Sequence, residues 1–262
     1  MVEGKGNFTI VILAAQREGR LDPLAAAAGV SHKCLVPIGG RPLLAHVLAA
    51  VAGLRGIDSV RIAVEPGAEE ALSPIALASG LPVTFVPSAA TITDSVYAAA
   101  AGSEGPLVIT TADNVLLTPA AVREVAARLA GGDDMAVAFA RKEDVLSAHP
   151  EGQRRFYRFR DGEYSNCNLY GLSHRGLELA EIFREGGQFA KNPMRLARNF
   201  GFLNLIIFRF GLISLERAMR RFGKRFGIRA SAVLLADGAH AIDVDNERTY
   251  SIAAELLDRR AA

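Results

Sequence analysis

The sequence has few of the residues on which small secreted or metal-stapled folds depend. Its 262 residues include two cysteines, no tryptophan, and five histidines without the close spacing of zinc ligands. The cysteines form no CxxC pair, so a disulfide scaffold is excluded and a reducing, cytoplasmic location is expected. No apolar run approaches the about 18 residues that a membrane-spanning helix needs. The first residues also lack the long apolar region of a signal peptide.

Two common nucleotide-binding signatures are missing as well. No GxGxxG follows the first predicted strand, which disfavours a dinucleotide dehydrogenase, and no GxxxxGK[ST] is present, which disfavours a P-loop enzyme. Half of the residues are hydrophobic and the mean hydropathy is +0.20, so a sizeable core can be buried. The length suits one α/β domain, and we predict a single domain over residues 1–262.

Strand and helix patterns alternate along roughly the first 140 residues. Residues 8–15 form a continuous apolar run rich in β-branched side chains, which is typical of a buried parallel strand. Thr118 and Pro119 suit the cap and the first turn of a helix. The alternation predicts a three-layer α/β fold, with a mostly parallel sheet and helices on both faces.

Three local predictions follow from the same patterns. The stretch from the end of the first strand to about His32 is polar and rich in alanine and glycine, and it is predicted to be a loop. Thr93 or Asp94 is predicted to cap the helix after the third strand. Residues 241–244 are predicted to form a strand.

Two motifs lie near the predicted first strand. Residues 13–20 read LAAQREGR, and residues 33–44 read KCLVPIGGRPLL. In an open parallel sheet the ligand crevice lies beyond the carboxyl ends of the strands. A loop at that edge can offer backbone N–H groups and an arginine to phosphate oxygens, so the motifs predict an anion-binding crevice.

Together the motifs resemble those of the nucleotidyltransferases that share a fold with molybdenum-cofactor guanylyltransferase and with the sugar-phosphate and methylerythritol-phosphate cytidylyltransferases. In that family the first loop reads L-A-[AG]-G-x-G-x-R, and a later segment reads K-x-L-x-x-hydrophobic-x-G-[KR]-P-L-L. Arg20 and Lys33 fall on the basic positions of these two patterns. The resemblance covers about residues 8–140 and 240–257, and it implies a Rossmann-like fold related to the GT-A glycosyltransferases.

The resemblance implies Mg²⁺-dependent (or Mn²⁺-dependent) transfer of an NMP group from an NTP to a phosphorylated acceptor, with release of pyrophosphate. It implies that Lys33, Arg20 and Asp113 act by positioning and by neutralising charge. The implied nucleotide-binding residues are Leu13, Ala14, Ala15, Gln16, Arg17, Lys33, Ser95 and Asp113. Asp113 and Asp245 are the implied metal ligands, because Mg²⁺ needs few carboxylates besides waters and phosphates. Asn168 is predicted to bind the acceptor.

Several of these residues also suit structural roles. Asp243 and Asp245 suit caps of the last helix, and Asn168 suits a turn or a bulge. Cys34 and Cys167 suit core packing better than nucleophilic chemistry.

Two other functions remain open. A glycosyltransferase of related fold would use a D-x-D motif, but Asp113-Asn114-Val115 lacks the second aspartate, and Asp243-Val244-Asp245 lies late in the chain. A non-catalytic nucleotide-binding or regulatory module is suggested by Gln16 and Glu18. They replace two glycines of the first family pattern, and glycine permits close approach of a phosphate to the backbone.

The charge is distributed unevenly along the chain. Residues 190–230 contain ten Lys or Arg and one acid, a net charge of +9, so the rest of the chain carries −7 against the total of +2. The same segment holds six of the thirteen phenylalanines. Within it, residues 214–226 predict an amphipathic helix. We call residues 190–230 the basic segment and predict it to be a helical insert.

Three interpretations of the basic segment remain open. It can pack on the sheet with a solvated basic rim. It can contact an anionic membrane surface at the inner face of the membrane through residues 195–229, or bind a lipid-type phosphate acceptor. It can form the subunit interface of an oligomer. No nucleic-acid recognition module is visible, so nucleic acid is not an expected partner. Molybdopterin, a sugar phosphate, a polyol phosphate and a lipid-type phosphate all remain open as acceptors.

Overall fold

The protein is described here from a computed structural model over residues 7–16, 21–184 and 211–261. Its strands are β1 (Phe8–Leu13), β2 (Pro37–Ile38), β3 (Arg41–Pro42), β4 (Ile57–Val64), β5 (Val83–Pro87), β6 (Leu107–Thr111), β7 (Met135–Arg141), β8 (Tyr157–Phe159), β9 (Gly162–Leu172) and β10 (Ala230–Leu234). Its helices are α1 (Pro23–Ala28), α2 (Leu43–Ala52), α3 (Glu69–Ala78), α4 (Ile92–Ala100), α5 (Pro119–Ala130), α6 (Lys142–Ala148), α7 (His174–Arg184), α8 (Leu215–Phe226) and α9 (Glu247–Ala261). Short 3-10 turns span Lys33–Leu35 and Gly238–Ala241.

Eight of the strands form one mixed sheet with the order β10-β7-β9-β6-β1-β4-β5, and β8 pairs with β9. The pairs β10–β7, β6–β1, β1–β4 and β4–β5 are parallel, whereas β9 runs antiparallel to both β6 and β7. The prediction of a mostly parallel α/β sheet is therefore confirmed. The chain leaves β1 toward β4 and β5 and returns to β6 on the other side of β1. This reversal creates a crevice beyond the carboxyl ends of β1 and β6.

Helices cover both faces of the sheet, as the alternation predicts. Ile10 and Ile12 of β1 point to one face, whereas Val11 points to the other. The first face packs against α2, α3, α5 and α9 through Leu48, Leu72, Val122 and Ile252. The second face packs against α4 through Val96 and against α8 through Leu215. The sheet is thus the middle of three layers, and its buried centre holds the ends of β1 and β6 in place.

The segment after β1 is not all loop, so that prediction is wrong. Asp22 accepts a hydrogen bond from the backbone of Leu24 (2.9 Å), and Pro23 occupies the first turn of α1. Gly29 ends the helix at a φ of 67°, the left-handed conformation that glycine adopts without strain. A cap, a proline and a terminal glycine therefore bound a short alanine-rich helix.

Two further local predictions are also corrected. Thr91, not Thr93 or Asp94, caps α4, because its hydroxyl accepts a hydrogen bond from the backbone of Asp94 (3.0 Å). Residues 241–244 do not join the sheet. Ala241 ends the second 3-10 turn, and residues 242–244 cross the carboxyl edge, where the Val244 amide donates to the Asp113 carbonyl (3.2 Å).

The part of the basic segment that the structure describes, residues 211–230, packs on the sheet. Leu215 and Ala218 of α8 are buried, and Leu215 belongs to one hydrophobic cluster with Val137, Phe139 and Tyr164. The basic side chains of α8 lie on its exposed side. This arrangement fits the first of the three interpretations, a packed helix with a basic rim. Residues 190–210 lie outside the described residues.

No helix within the described ranges combines the length and apolar character that crossing a membrane requires.

The packing of α6 against the second 3-10 turn generates a stability prediction. A methyl group on Gly238 would lie 2.2–2.3 Å from backbone atoms of Asp144 and Val145. Gly238→Ala must therefore separate α6 from the turn, and we expect it to lower the free energy of unfolding by about 2 kcal/mol or more. Urea denaturation measures this change.

Gly53→Ala is the matched control. Its φ is −78°, and the nearest atom to an added methyl group is 3.5 Å away on Pro119. We expect a change within about 0.5 kcal/mol. Equal stabilities of the two variants would contradict the close packing at Gly238.

Candidate active site

The carboxyl ends of β1 and β6 form the floor of the crevice. The Ala112 amide donates to the Leu13 carbonyl (3.0 Å), and the Ala14 amide donates to the Ala63 carbonyl (2.9 Å). These bonds extend the sheet pairing past the last strand residues. The predicted nucleotide-binding stretch that begins at Leu13 therefore lies beside the start of the turn that carries Asp113.

An ion pair between Lys33 and Asp113 joins the two sides of this crevice. The first 3-10 turn presents Lys33, whose Nζ lies 2.5 Å from Oδ2 of Asp113 and 3.4 Å from Oδ1 of Asp245. The side chains of Lys33 and Asp113 are only 19% and 18% exposed, so water screens this pair weakly. The structure thus brings together Lys33, Asp113 and Asp245.

The carboxylates keep the ammonium of Lys33 charged. Burial alone would lower the pKa of Lys33, but the charge of Asp113 and its hydrogen bond raise it, with further contributions from Asp245 and Asp22. The net result is a Lys33 pKa above its ordinary value. Lys33 therefore presents a permanent positive charge in a largely buried crevice.

The segment that carries Asp243 and Asp245 crosses the site instead of capping the last helix. Asn246 caps α9, because its side-chain oxygen accepts a hydrogen bond from the Thr249 amide (3.2 Å). The amide of Asp245 donates to the Thr249 hydroxyl (2.8 Å). The interpretation of Asp243 and Asp245 as helix caps is wrong, and both carboxyl groups are available to the crevice.

Asn168 reaches the same place from β9. Its Nδ2 donates to Oδ2 of Asp243 at 2.6 Å. Val137 pairs with Tyr170 and Phe139 with Asn166, so three β9 residues lie opposite one β7 residue, and the register shifts there. Asn168 has a φ of 47°, a left-handed conformation that asparagine tolerates better than most residues. The bulge interpretation of Asn168 is therefore confirmed, whereas its binding of the acceptor stays a prediction.

Asp243 is buried among like charges. Burial raises its pKa well above the ordinary value, and the charges of Asp113 and Asp245 raise it further. The charge of Lys33 and the hydrogen bond from Asn168 oppose this rise. The site therefore contains a carboxyl group whose ionised form is disfavoured unless more positive charge arrives.

Buried side-chain oxygen atoms without partners occur on Asp243 and on residues at the end of β6. Among the described residues, five buried side-chain polar atoms have no hydrogen-bond partner, and four are oxygens of Thr111, Asp113, Asn114 and Asp243. Buried acceptors without donors are rare and unfavourable. Such a set of oxygens suits a hard cation such as Mg²⁺. No group of three or more His, Cys, Asp or Glu in the described ranges could hold a metal ion, but Mg²⁺ also takes waters and substrate phosphates as ligands.

Gln16 closes the start of the first loop. Its amide donates to Oε2 of Glu65 (3.1 Å), and its side chain donates to the Ser31 carbonyl (2.8 Å). His32 lies 3.3 Å from the same Glu65 carboxylate. Where the family pattern has a glycine, this chain therefore has a side chain that links the two ends of the loop to β4.

The other predicted nucleotide-binding residues lie apart from this group or outside the description. Ser95 is buried, and its hydroxyl accepts a hydrogen bond from the Ala89 amide (2.9 Å) and donates to the Thr91 carbonyl (3.0 Å). It therefore orders the turn after β5, and its contact with a nucleotide stays a prediction. Arg17 and Arg20 lie outside the described residues.

Two residues near the predicted site did not stand out in the sequence. Asp243 was interpreted as a cap or as part of a D-x-D motif too late in the chain, although its i, i+2 spacing from Asp245 in an extended segment would place both side chains on one side. Glu65 follows directly on the buried end of β4, beside the end of β1. A carboxylate after a parallel strand was the available signal.

The fold and the site define an α/β protein with a nucleotidyltransferase-type crevice. A family model, the MobA-like NTP transferase domain, matches residues 10–185, and the chain belongs to this family. A search of curated proteins finds no match.

The chain is also similar to solved transferase structures. A hypothetical transferase from Thermus thermophilus is 27% identical, with a TM-score of 0.73, and the match covers 94% of this chain and 99% of that one. The 4-diphosphocytidyl-2C-methyl-D-erythritol synthase of Anaerococcus prevotii is 10% identical, with a TM-score of 0.61 over 97% and 100% of the chains. A CMP:2-keto-3-deoxy-manno-octonic acid synthetase complexed with CTP is 16% identical, with a TM-score of 0.61 over 97% and 99%. The last two show the shared fold.

The burial of Asp243 generates a pH-dependent prediction. Its pKa is 3.8 in an ordinary environment and higher in the folded chain. The native state therefore holds this proton more tightly than the unfolded state. Protonated Asp243 therefore stabilises the native state fully at low pH. This stabilisation is lost as the pH rises through the native pKa of Asp243.

Asp243→Asn cannot ionise, so it avoids this loss of stability at high pH. Its side-chain oxygen still accepts the hydrogen bond from the side-chain amide of Asn168. Without divalent cations, we expect a higher unfolding temperature for the variant at pH 8, by about 2–4 °C for each 1 kcal/mol recovered, and a smaller difference toward pH 4. Calorimetry at both pH values measures it. A variant less stable than the wild type at pH 8 would contradict the buried, disfavoured charge.

Proposed function

We propose that the protein is a nucleotidyltransferase that moves an NMP group from an NTP to a phosphorylated acceptor. A phosphate oxygen of the acceptor forms a new bond to the α-phosphorus, the bond from that phosphorus to the bridging oxygen breaks, and pyrophosphate leaves. The observation that carries the proposal is the contact of Lys33 with Asp113 and Asp245 at the crevice between β1 and β6. The family match and the fold of the solved neighbours support it.

The chain's own residues contribute position and charge. The acceptor phosphate is already anionic, so the reaction needs no strong general base. Lys33 remains protonated in the crevice and can neutralise charge that develops on the triphosphate. Arg20, if it follows the family pattern, adds a second cation from the first loop.

A divalent cation fits the oxygens of this site. Asp113 would hold it, together with a second carboxylate from the segment of Asp243 and Asp245. When bound, Mg²⁺ or Mn²⁺ supplies charge stabilisation to the phosphates. The neighbouring Lys33 orients Asp113 through Oδ2 and leaves Oδ1 of that carboxylate without a partner.

One observation argues against a glycosyltransferase with a D-x-D motif at β6. The second aspartate of such a motif would stand at Val115, which is buried in the hydrophobic core. The intervening Asn114 is fully buried, and its Nδ2 donates to Thr110 (3.2 Å) and to the Cys167 carbonyl (3.0 Å). Asn114 therefore ties β6 to β9.

A second candidate function, a non-catalytic nucleotide-binding module, is favoured by Gln16. Its backbone amide already donates to Glu65, so this amide is not free for a phosphate while that bond persists. The carboxylate of Glu65 beside it would also repel a phosphate. This candidate predicts nucleotide binding without turnover, and the assay below separates the two.

The proposal predicts that the wild type releases pyrophosphate from at least one of the four NTPs when Mg²⁺ and a phosphorylated acceptor are present. Asp113→Ala should lower this rate by about 10²–10³-fold or more, because it removes a charged group that positions both Lys33 and the cation. Coupled detection of pyrophosphate over a panel of acceptor phosphates measures the rate.

Asp258→Ala is the control, because Asp258 is exposed on α9, away from the crevice. It should retain wild-type turnover. Full activity of a folded Asp113→Ala variant would contradict the assignment. Nucleotide binding without pyrophosphate for every acceptor would favour the non-catalytic module.

A further inference from the structure

The two carboxyl groups of the crossing segment meet the site differently. The Asp245 side chain is 67% exposed, and its Oδ1 lies 3.4 Å from Nζ of Lys33. Asp243 is only 8% exposed, its Oδ2 accepts from Asn168, and its Oδ1 is buried without a partner. One carboxyl group thus faces Lys33, whereas the other presents a desolvated free oxygen.

Like Asp243, Asp113 has one carboxyl oxygen with a partner and one without. Its Oδ2 is held by Lys33, and its Oδ1 is buried without a partner. The Val244 amide donates to the Asp113 carbonyl, which places the residue next to Asp243 directly against Asp113. The free Oδ1 atoms of Asp113 and Asp243 have no hydrogen-bond donor, and a hard cation with oxygen ligands would satisfy them.

We propose that Asp113 and Asp243 are the carboxylates that bind the divalent cation, and that Asp245 holds Lys33 beside them. This assignment rests on the proposed function and departs from the residue that the family pattern indicates, Asp245. The assignment is based on which carboxyl groups have a buried oxygen without a partner. Asp113 and Asp243 each have one, whereas Asp245 is exposed to water and contacts Lys33.

Asn168 is the positioning residue in this arrangement. Its amide occupies Oδ2 of Asp243 and so leaves Oδ1 as the oxygen available to the cation. The β9 bulge holds the backbone of Asn168 in its left-handed conformation. The backbone amide of Asn168 also donates to Oδ1 of Asn166 (2.6 Å). The Tyr170 hydroxyl donates to the same Asn166 oxygen (2.9 Å). A residue that holds a metal ligand in this way typically contributes 10–100-fold to metal affinity, about 1.4–2.7 kcal/mol.

The test is a titration of the full chain with Mn²⁺ alone. Binding is measured as the decrease of the EPR signal of the free Mn²⁺ ion. Asp243→Asn should weaken Mn²⁺ binding by about tenfold or more, whereas Asp245→Asn should weaken it by less than about threefold. The unfolding temperature of each variant, measured alongside, separates a lost ligand from a lost fold. A wild type that takes up no Mn²⁺, or the reverse order of the two variants, overturns the assignment.

Asn168→Gly tests the positioning role. Glycine adopts a φ of 47° without strain, so the bulge is preserved while the amide is lost. We expect about tenfold weaker Mn²⁺ binding in a variant that still unfolds cooperatively. Wild-type affinity would show that Asn168 serves only the bulge and would overturn its role.

Asp133→Asn is the matched control. Its carboxyl group is 12% exposed and accepts from Ser231 (2.6 Å), but it precedes β7 at the amino edge of the sheet. Its Mn²⁺ affinity should equal that of the wild type, and a loss as large as that of Asp243→Asn would overturn a site-specific effect.

The two proposals fail separately. Mn²⁺ binding as assigned, without pyrophosphate from any pair of substrates, refutes the proposed function alone. Turnover that depends on Asp245 and not on Asp243 refutes the assignment of the metal ligands alone.

Discussion

Crowding of like charge around one ammonium group is the constraint on which the rest of this site depends. Asp113, Asp243 and Asp245 interact electrostatically, and Lys33 is the cation that contacts two of them. In a crevice this buried, such a cluster is tolerated only when more positive charge or protons offset it. Under the proposed function, a divalent cation that accompanies the substrate triphosphate would supply the missing positive charge.

The scaffold exists to hold this cluster together from distant parts of the chain. The parallel order of β4, β1 and β6 brings the first 3-10 turn and the end of β6 to one edge. The reversed strand β9 inserts Asn168 through its bulge. The second 3-10 turn, packed on α6, delivers Asp243 across the same edge. The three layers therefore follow the predicted α/β pattern, and the features specific to this chain lie at the carboxyl edge of its sheet.

The sequence predicts the layers well because apolar periodicity and helix caps such as Thr118 are local signals. It predicts Lys33, Asp113 and Asp245 through motif order. The proposed role of Asp243 is harder to predict, because the hydrogen bond that orients its carboxyl group comes from Asn168, which is 75 positions away in the chain. For α8 the amphipathic pattern allowed three interpretations, and the burial of Leu215 in the structure fits the one in which the helix packs on the sheet. By contrast α1 was missed despite readable signals at Asp22, Pro23 and Gly29.

The fate of the α-phosphate tests the central claim most directly. The protein would be incubated with Mg²⁺, a phosphorylated acceptor and an NTP labelled either at the α- or at the γ-phosphate. Nucleotidyl transfer predicts that the α-label enters the acceptor product while the γ-label leaves in pyrophosphate, and that both changes vanish in Asp113→Ala. Retention of the α-label in unreacted NTP across all four bases and the acceptor panel would contradict it.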